Sequence, residues 1–289
     1  MGIGRVLVDR WGLRVERVEV LEGGMNSRVW LVVADGVQLV VKSVDQAGDG
    51  FERGLELAAR LDSAGLTTGA PIPSLRGRLV EPADDRLIAL LQYVEGIPLV
   101  GGPDDQDEHR LIGTTLARVH EIAPARPVDL EKWLKIVTDL DEYLDYEPWI
   151  RPAVGDALAG VRELASQREL SWAGLHGDPA PEAFLRQPDG EIALIDWGGA
   201  IVPGPTLYDV ASAVMYVGNP NHVVPAYLAE RPQAADELDD GLTTFLNLRY
   251  AVQAAYFAWR CTTDVQTGLT TADGNTKGLS DARQSLVGR

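Results

Sequence analysis

Two short segments whose aspartates stand eighteen residues apart constrain this chain most: "LHGDPAPEAF" (175–184) and "EIALIDWGG" (191–199). The second is an apolar run that ends in Asp196, a tryptophan and two glycines. Such a run reads as a buried strand, and a buried strand needs an apolar layer on either side. Its terminal aspartate, followed by residues that let the backbone turn, points a carboxylate out of that layer into a cleft. The first segment is an irregular loop containing two prolines, with His176 and Asp178 at its head. The bland reading is that His176 and Asp178 bond loop amides, as in Asx turns.

The rest of the chain supplies the frame. "RVERVEVL" and "RVWLVV" alternate as strands do, and "ADG" offers a tight turn into "VQLVVKSV". "FERGLELAARLDSAG" (51–65) is helical, with Phe51, Leu55, Ala58, Leu61 and Ala64 three or four apart and Gly65 suited to the stop. "RLIALLQYV" (86–94) is a buried strand, and "DEHRLIGTTLARVHEI" (107–122) is an amphipathic helix. Further helices are expected over 129–146, 152–168, 206–217 and about 233–262. A strand-rich lobe, 1–94, followed by a larger helical lobe, 95–289, is the expected division, and the fold class is α+β.

Composition limits what the chain does. Its 289 residues suffice for one large domain or two lobes sharing a cleft, and a 45% hydrophobic content is ordinary for a globular protein. No apolar run approaches the roughly 20 residues of a membrane span, and the charged first twenty residues do not read as a secretory signal. One cysteine, Cys261, excludes an internal disulfide and suits a reducing cytoplasm. The formal charge of −17 argues against nucleic acid or an anionic membrane as partner. It fits either a soluble acidic surface or attraction of a cationic small molecule. The clusters "DDQDEH" (104–109), "DLDEYLDYE" (139–147) and "DELDD" (236–240) all lie outside the first third.

Several residues then become candidates for chemistry. "EGGMNSRVW" (22–30) joins two strands, and its glycines either cradle phosphates on free amides or form an ordinary hairpin. Lys42 stands in an apolar strand, where a lysine either snorkels or meets an anion. Glu52 or Glu56, on the following helix, would be its partner unless both face solvent. Asp178 and Asp196 divide one task naturally: the first accepts or orients the proton of a substrate hydroxyl, the second holds Mg²⁺ on phosphates. In "NLRYAVQAAYFAWRCTTD" (247–264), Tyr250, Gln253, Tyr256, Phe257 and Arg260 fall at helical spacing, as core or as a wall of a binding site.

In this order the motifs resemble the aminoglycoside phosphotransferase and choline kinase group of small-molecule kinases, over nearly the whole chain. The resemblance implies a protein-kinase-like fold in two lobes. It implies ATP or GTP and Mg²⁺ as cofactors and a small hydroxylated acceptor, such as an aminoglycoside, another antibiotic, an amino sugar or a related metabolite. It places the nucleotide phosphates against Gly23, Gly24, Asn26 and Ser27, with Lys42 on the α- and β-phosphates. "LLQYVEGIPL" (90–99) is similar to the hinge that takes the adenine, near Gln92 and Val94. "HGD", with His176 and Asp178, matches the catalytic loop, and "IDWGGA" stands where the metal-binding Asp-Phe-Gly of protein kinases does. "LIGTTLARVHEI" matches a structural helix, and Asp209 in "GPTLYDVASAV" is expected to support the catalytic loop from a buried position. Tyr250, Tyr256 and Arg260 are expected on the acceptor side. The pattern breaks where the family has a metal-binding asparagine: that position is Ala183, after Ala180 and Glu182. Asp196 is then the main expected metal ligand, with Glu182, or water alone, filling the vacancy. The break also leaves open a nucleotide-binding pseudokinase.

Overall fold

Alternating apolar residues in the first hundred positions build an antiparallel sheet, and helical periodicity takes over beyond it. In the computed structural model, residues 2–21, 27–45, 50–266, 268 and 273–288 are described. Along the chain run α1 (Ile3–Trp11), β1 (Val15–Leu21), β2 (Arg28–Ala34), β3 (Val37–Asp45), α2 (Gly50–Ser63), β4 (Glu81–Ala83), β5 (Arg86–Gln92) and β6 (Ile97–Pro98). There follow α3 (Gln106–Ile122), α4 (Leu130–Trp133), α5 (Lys135–Thr138), α6 (Ile150–Gln167), β7 (Trp172–Leu175), β8 (Phe184–Arg186), β9 (Ile192–Leu194) and β10 (Ile201–Pro205). The remainder is helical: α7 (Thr206–Val217), α8 (Val223–Glu230), α9 (Ala235–Thr262) and α10 (Gly274–Val287). The fold class is α+β, as expected.

The chain divides into two units. The first comprises Met1–Leu99 together with Glu182–Val202; the second comprises Val100–Pro181 and Pro203–Arg289. A boundary at residue 94 leaves 182–202 among the helices, and hydrogen bonding explains why they belong elsewhere. β6, β8 and β9 form one small sheet. Leu99 N donates to Phe184 O (2.9 Å), and Leu194 N to Thr67 O (2.9 Å). A strand whose pairing partners lie in the first unit stays with that unit, whatever its position in sequence.

In the first unit the five-stranded sheet has the order β1-β2-β3-β5-β4. One face is closed by α1, with Val6, Leu7 and Trp11 packed on Val32, Leu39, Val41, Ile88 and Leu90. The other face carries α2 through Phe51 and Leu55 on Val80 and Ala89. Because side chains alternate along a strand, Leu39 and Val41 enter the first layer and Lys42 the second.

The second unit is organised by α9, whose Gly241, Ala251, Ala254, Ala255 and Ala258 are buried. Trp133 lies edge-on to Trp172 and Tyr208 and tilted against Phe245. The helix expected over 129–146 is broken into α4, α5 and a 3₁₀ turn at Asp141–Tyr143. Like charges three apart (Asp139, Glu142, Asp145) and four apart (Asp141, Asp145) oppose a continuous helix there. Arg151 instead gathers Asp141 and Asp145, each at 2.7 Å. None of the described helices is long and apolar enough to cross a membrane.

Gly113 allows α3 and α8 to touch: a Cβ on it would overlap the Val223 carbonyl oxygen. Gly113→Ala should therefore cost about 1–3 kcal/mol through overpacking, despite the better helix propensity of alanine. A thermal melt should show the loss as a lowered Tm.

Candidate functional site

The first unit brings Lys42 and Asp196 together. Lys42 pairs in register with Val29 on one side and Ala89 on the other. Its Nζ contacts an Asp196 carboxylate oxygen directly; the lysine side chain is 9% exposed and that of the aspartate 57%. Asp196 follows β9 with φ 68° and ψ 52°, a left-handed conformation that costs most side chains about 1–2 kcal/mol. Aspartate is among the few that adopt it, and the surrounding bonds hold it there. Trp197 Nε1 donates to Leu194 O (2.7 Å), and Ile195 N donates to Ala183 O (2.9 Å).

Neither Glu52 nor Glu56 partners Lys42, contrary to expectation; both are exposed. The inward face of α2 carries Phe51, Gly54, Leu55 and Ala58. Gly54 abuts the carbonyl of Trp197 so closely that a Cβ would overlap it, and a Cβ on Gly198 would lie 2.9 Å from Lys42 Nζ. The helix packs its backbone where a glutamate would reach in, so the cation turns to Asp196.

Of the expected nucleotide contacts, Gly23, Gly24 and Asn26 lie outside the described residues, and Ser27 is buried just before β2. Gln92 is exposed at the end of β5, but its amide is already donated to Ala70 O (3.0 Å). The Gln92 N–H is therefore not open to a nucleotide. Val94, two residues on, has no backbone hydrogen bond among the described residues. Glu182 is exposed on a 3₁₀ turn, whereas Ala183 beside it is buried and bonded to Ile195.

In the second unit the loop after β7 presents Asp178. Gly177 takes φ 85°, which glycine adopts without strain. Asp209, on α7, is fully buried and accepts the amide protons of His176 (2.7 Å) and Gly177 (2.8 Å). Its Oδ2 also lies 3.2 Å from His120 Nε2, and His120 Nδ1 lies 2.8 Å from the Tyr227 hydroxyl. Burial pushes the Tyr227 phenol up, so it stays protonated. His176, expected in the catalytic loop, is 1% exposed and is tied to Asp209 through its backbone amide.

Asp178 itself is 59% exposed at the side chain and is held by two residues absent from the sequence expectations. Arg249 Nη2 donates to its Oδ1 at 2.7 Å, and the Tyr216 hydroxyl donates to the same oxygen. Arg249 is buried: burial opposes its charge, but Tyr208, Tyr216 and Asp178 more than offset this and raise its pKa. Burial likewise pushes Tyr208 up to about 12. An arginine amid buried Phe245, Leu248 and Ala251 was the available signal, since a cation on an apolar stripe requires an anion. Arg260, expected on the acceptor side, is fully buried. It bonds Asn275 Oδ1 (2.7 Å) and the Tyr256 hydroxyl (3.0 Å), while Gln253 bonds Gly278 O (2.9 Å). The bonds to Asn275 and Gly278 seam α9 to α10, so Arg260 is structural; Tyr250 and Tyr256 are half-buried.

Asp209→Asn should place an amide N–H₂ against one of the two loop amides. The expected loss is about 2–4 kcal/mol for a disrupted buried charge network. It would be read as a lower denaturation midpoint together with faster hydrogen exchange at Gly177.

The model of the Phosphotransferase enzyme family matches residues 17–242. Protein StrN of Streptomyces griseus is 29% identical over 163 residues, covering 46% of this chain; the chain spans about half (50%) of that relative's length. Among solved structures, the amicoumacin kinase hAmiN, in complex with AMP-PNP, Ca²⁺ and Ami, superposes with a TM-score of 0.72 at 15% identity. The match covers 97% of this chain and 91% of that one. A microcompartment-associated aminopropanol kinase gives 0.71 at 19% identity (98% and 94%). The choline kinase LicA of Streptococcus pneumoniae gives 0.68 at 19% identity (99% and 98%). The fold is thus that of small-molecule kinases, and the chain belongs to the phosphotransferase enzyme family.

Proposed function

We propose that the chain transfers the γ-phosphoryl group of ATP or GTP to a hydroxyl of a small, amine-bearing molecule. The candidates are an aminoglycoside or other antibiotic, an amino sugar or a related metabolite. The observation that carries this reading is Asp178: an open carboxylate on a loop whose backbone is tied to a buried aspartate. Such a group receives the hydroxyl proton and fixes the attacking oxygen. Lys42 acts on the phosphates, since a buried lysine in contact with one carboxylate is a cation ready for anionic oxygens. Solved structures named for aminopropanol and choline support an acceptor that carries an amine as well as a hydroxyl.

A divalent ion fits the residues present. Among the described residues no cluster of three histidine, cysteine or acidic side chains forms a cage. Mg²⁺ commonly binds through one or two carboxylates, phosphate oxygens and water. Asp196, exposed beside Lys42 and fixed in its turn, would hold it. Glu182, on the exposed turn beside Ala183, would add a second ligand directly or through water. When bound, the ion neutralises charge on the transferring phosphate.

Purified protein incubated with Mg²⁺-ATP or Mg²⁺-GTP and a panel of hydroxylated amines and antibiotics should phosphorylate at least one of them. Asp178→Asn should lower that rate by about 10²–10⁴-fold and leave ADP affinity essentially unchanged. Ala183 and the lack, among the described residues, of a glutamate partner for Lys42 are the features that favour a nucleotide-binding pseudokinase. Nucleotide binding with no turnover on any acceptor or on water would establish that reading instead.

Glu182 is checked separately by titrating magnesium. Glu182→Ala should raise the magnesium needed for half-maximal rate, and adding Ala183→Asn should recover part of the loss. An unchanged titration would leave water alone in that position.

A further inference from the structure

Arg249 is a buried cation spent on one oxygen of an exposed carboxylate. Its side chain is 10% exposed, and its Nη2 reaches Asp178 Oδ1 at 2.7 Å and the Tyr216 hydroxyl at 3.2 Å. The guanidinium lies 5.8 Å from the centre of the Tyr216 ring, within range of a cation–π contact. Tyr216 donates its hydroxyl to the same Oδ1. Among the described residues Oδ2 has no hydrogen-bond partner. The two donors come from α9 and α7, helices packed on each other and on the Trp133 cluster. They form a rigid clamp on one half of a carboxylate whose other half is open.

We infer that Arg249 and Tyr216 are positioning residues for phosphoryl transfer, holding Asp178 by Oδ1 so that Oδ2 alone meets the acceptor hydroxyl. The inference rests on the proposed reaction. In the step it serves, the acceptor oxygen bonds to the γ-phosphorus as the bond from that phosphorus to the β–γ bridging oxygen breaks. The hydroxyl proton passes to Oδ2, and the nucleoside diphosphate leaves with the bond's electron pair. A carboxylate free to rotate would offer either oxygen at varying angles; one clamped by a charge-assisted bond offers a single direction. A purely structural ion pair is a poor account of the arrangement. An aspartate more than half exposed stabilises little, whereas burying the arginine costs free energy that its other neighbours must offset.

The test uses Tyr216→Phe, Arg249→Met, Arg249→Lys and Arg249→Ala in the full chain. Phosphorylation of the best acceptor from the panel, ATP hydrolysis by water, ADP affinity and Tm are measured for each. Arg249→Met should lower kcat by about 10²-fold, the scale of a misplaced reacting group, with ADP affinity within about twofold. Arg249→Lys should retain part of the rate, and ethylguanidinium at millimolar concentration should raise the rate of Arg249→Ala without affecting the wild type. Tyr216→Phe should show a smaller loss in kcat at unchanged Tm. An unaltered kcat in Arg249→Met would overturn the inference. So would a loss that tracks Tm and ADP affinity and that ethylguanidinium does not restore. If the arginine variants fail to fold, Tyr216→Phe decides, and an unaltered kcat there counts against the clamp. A wild type that turns over nothing would remove the proposed reaction instead. Crystal structures of wild type and Tyr216→Phe would then judge the clamp by itself: a turned Asp178 carboxylate supports it and an unmoved one overturns it.

Discussion

Asp209 has no exposed surface, yet its oxygens accept the amide protons of both His176 and Gly177 and meet the ring of His120. A carboxylate removed from water costs several kcal/mol unless charge-assisted bonds replace its hydration, and here the loop's own backbone supplies them. The consequence is mutual: α7 cannot keep its buried aspartate without the loop, and the loop cannot relax without stranding the aspartate. His120 extends the constraint to α3, and Tyr227 extends it to α8. Asp178, one residue past the clamped glycine, is thus presented from a backbone tied to three helices while its own side chain, held at Oδ1, stays more than half exposed.

The carboxylate of the first unit is held by the opposite means. Asp196 is exposed, stands in a left-handed turn, and meets a buried lysine. Its position is set from behind by the indole of Trp197 and by the Ile195 amide, and from the side by the close approach of α2 at Gly54. Fixing Asp196 by its backbone leaves its carboxylate 57% exposed beside Lys42. The same packing keeps a glutamate from the neighbourhood of Lys42, which pairs with Asp196 instead.

Much of this was legible in the sequence because it depends on local periodicity. Alternation in "VQLVVKSV" places Lys42 opposite Leu39 and Val41, and the buried run "IALI" must end by projecting Asp196. The order of "HGD" and "IDW" carries the family, and the apolar setting of Asp209 in α7 marks it as a support. The failures share one cause. Whether Glu52 or Glu56 meets Lys42 or faces solvent is undecided by sequence, because helical spacing shows which residues share a face but not how near another backbone comes. Residues 182–202 were assigned to the helical part because strand pairing with β6 and Thr67 is invisible to a local pattern.

By itself the sequence determined the type of the long periodic elements and the α+β class, and it singled out Lys42, Asp178, Asp196 and Asp209 as candidates, since each follows from residue type within a short window. Only the tertiary structure decided which cation meets which anion: Lys42 with Asp196, and Arg249 with Asp178 across 71 positions of chain. It also decided that Arg260, eleven residues beyond Arg249 on the same helix, ties α9 to α10 rather than facing an acceptor. The physical reason is that burying a charge demands a partner without specifying it. The partner is whichever opposite group the packing brings within hydrogen-bonding reach.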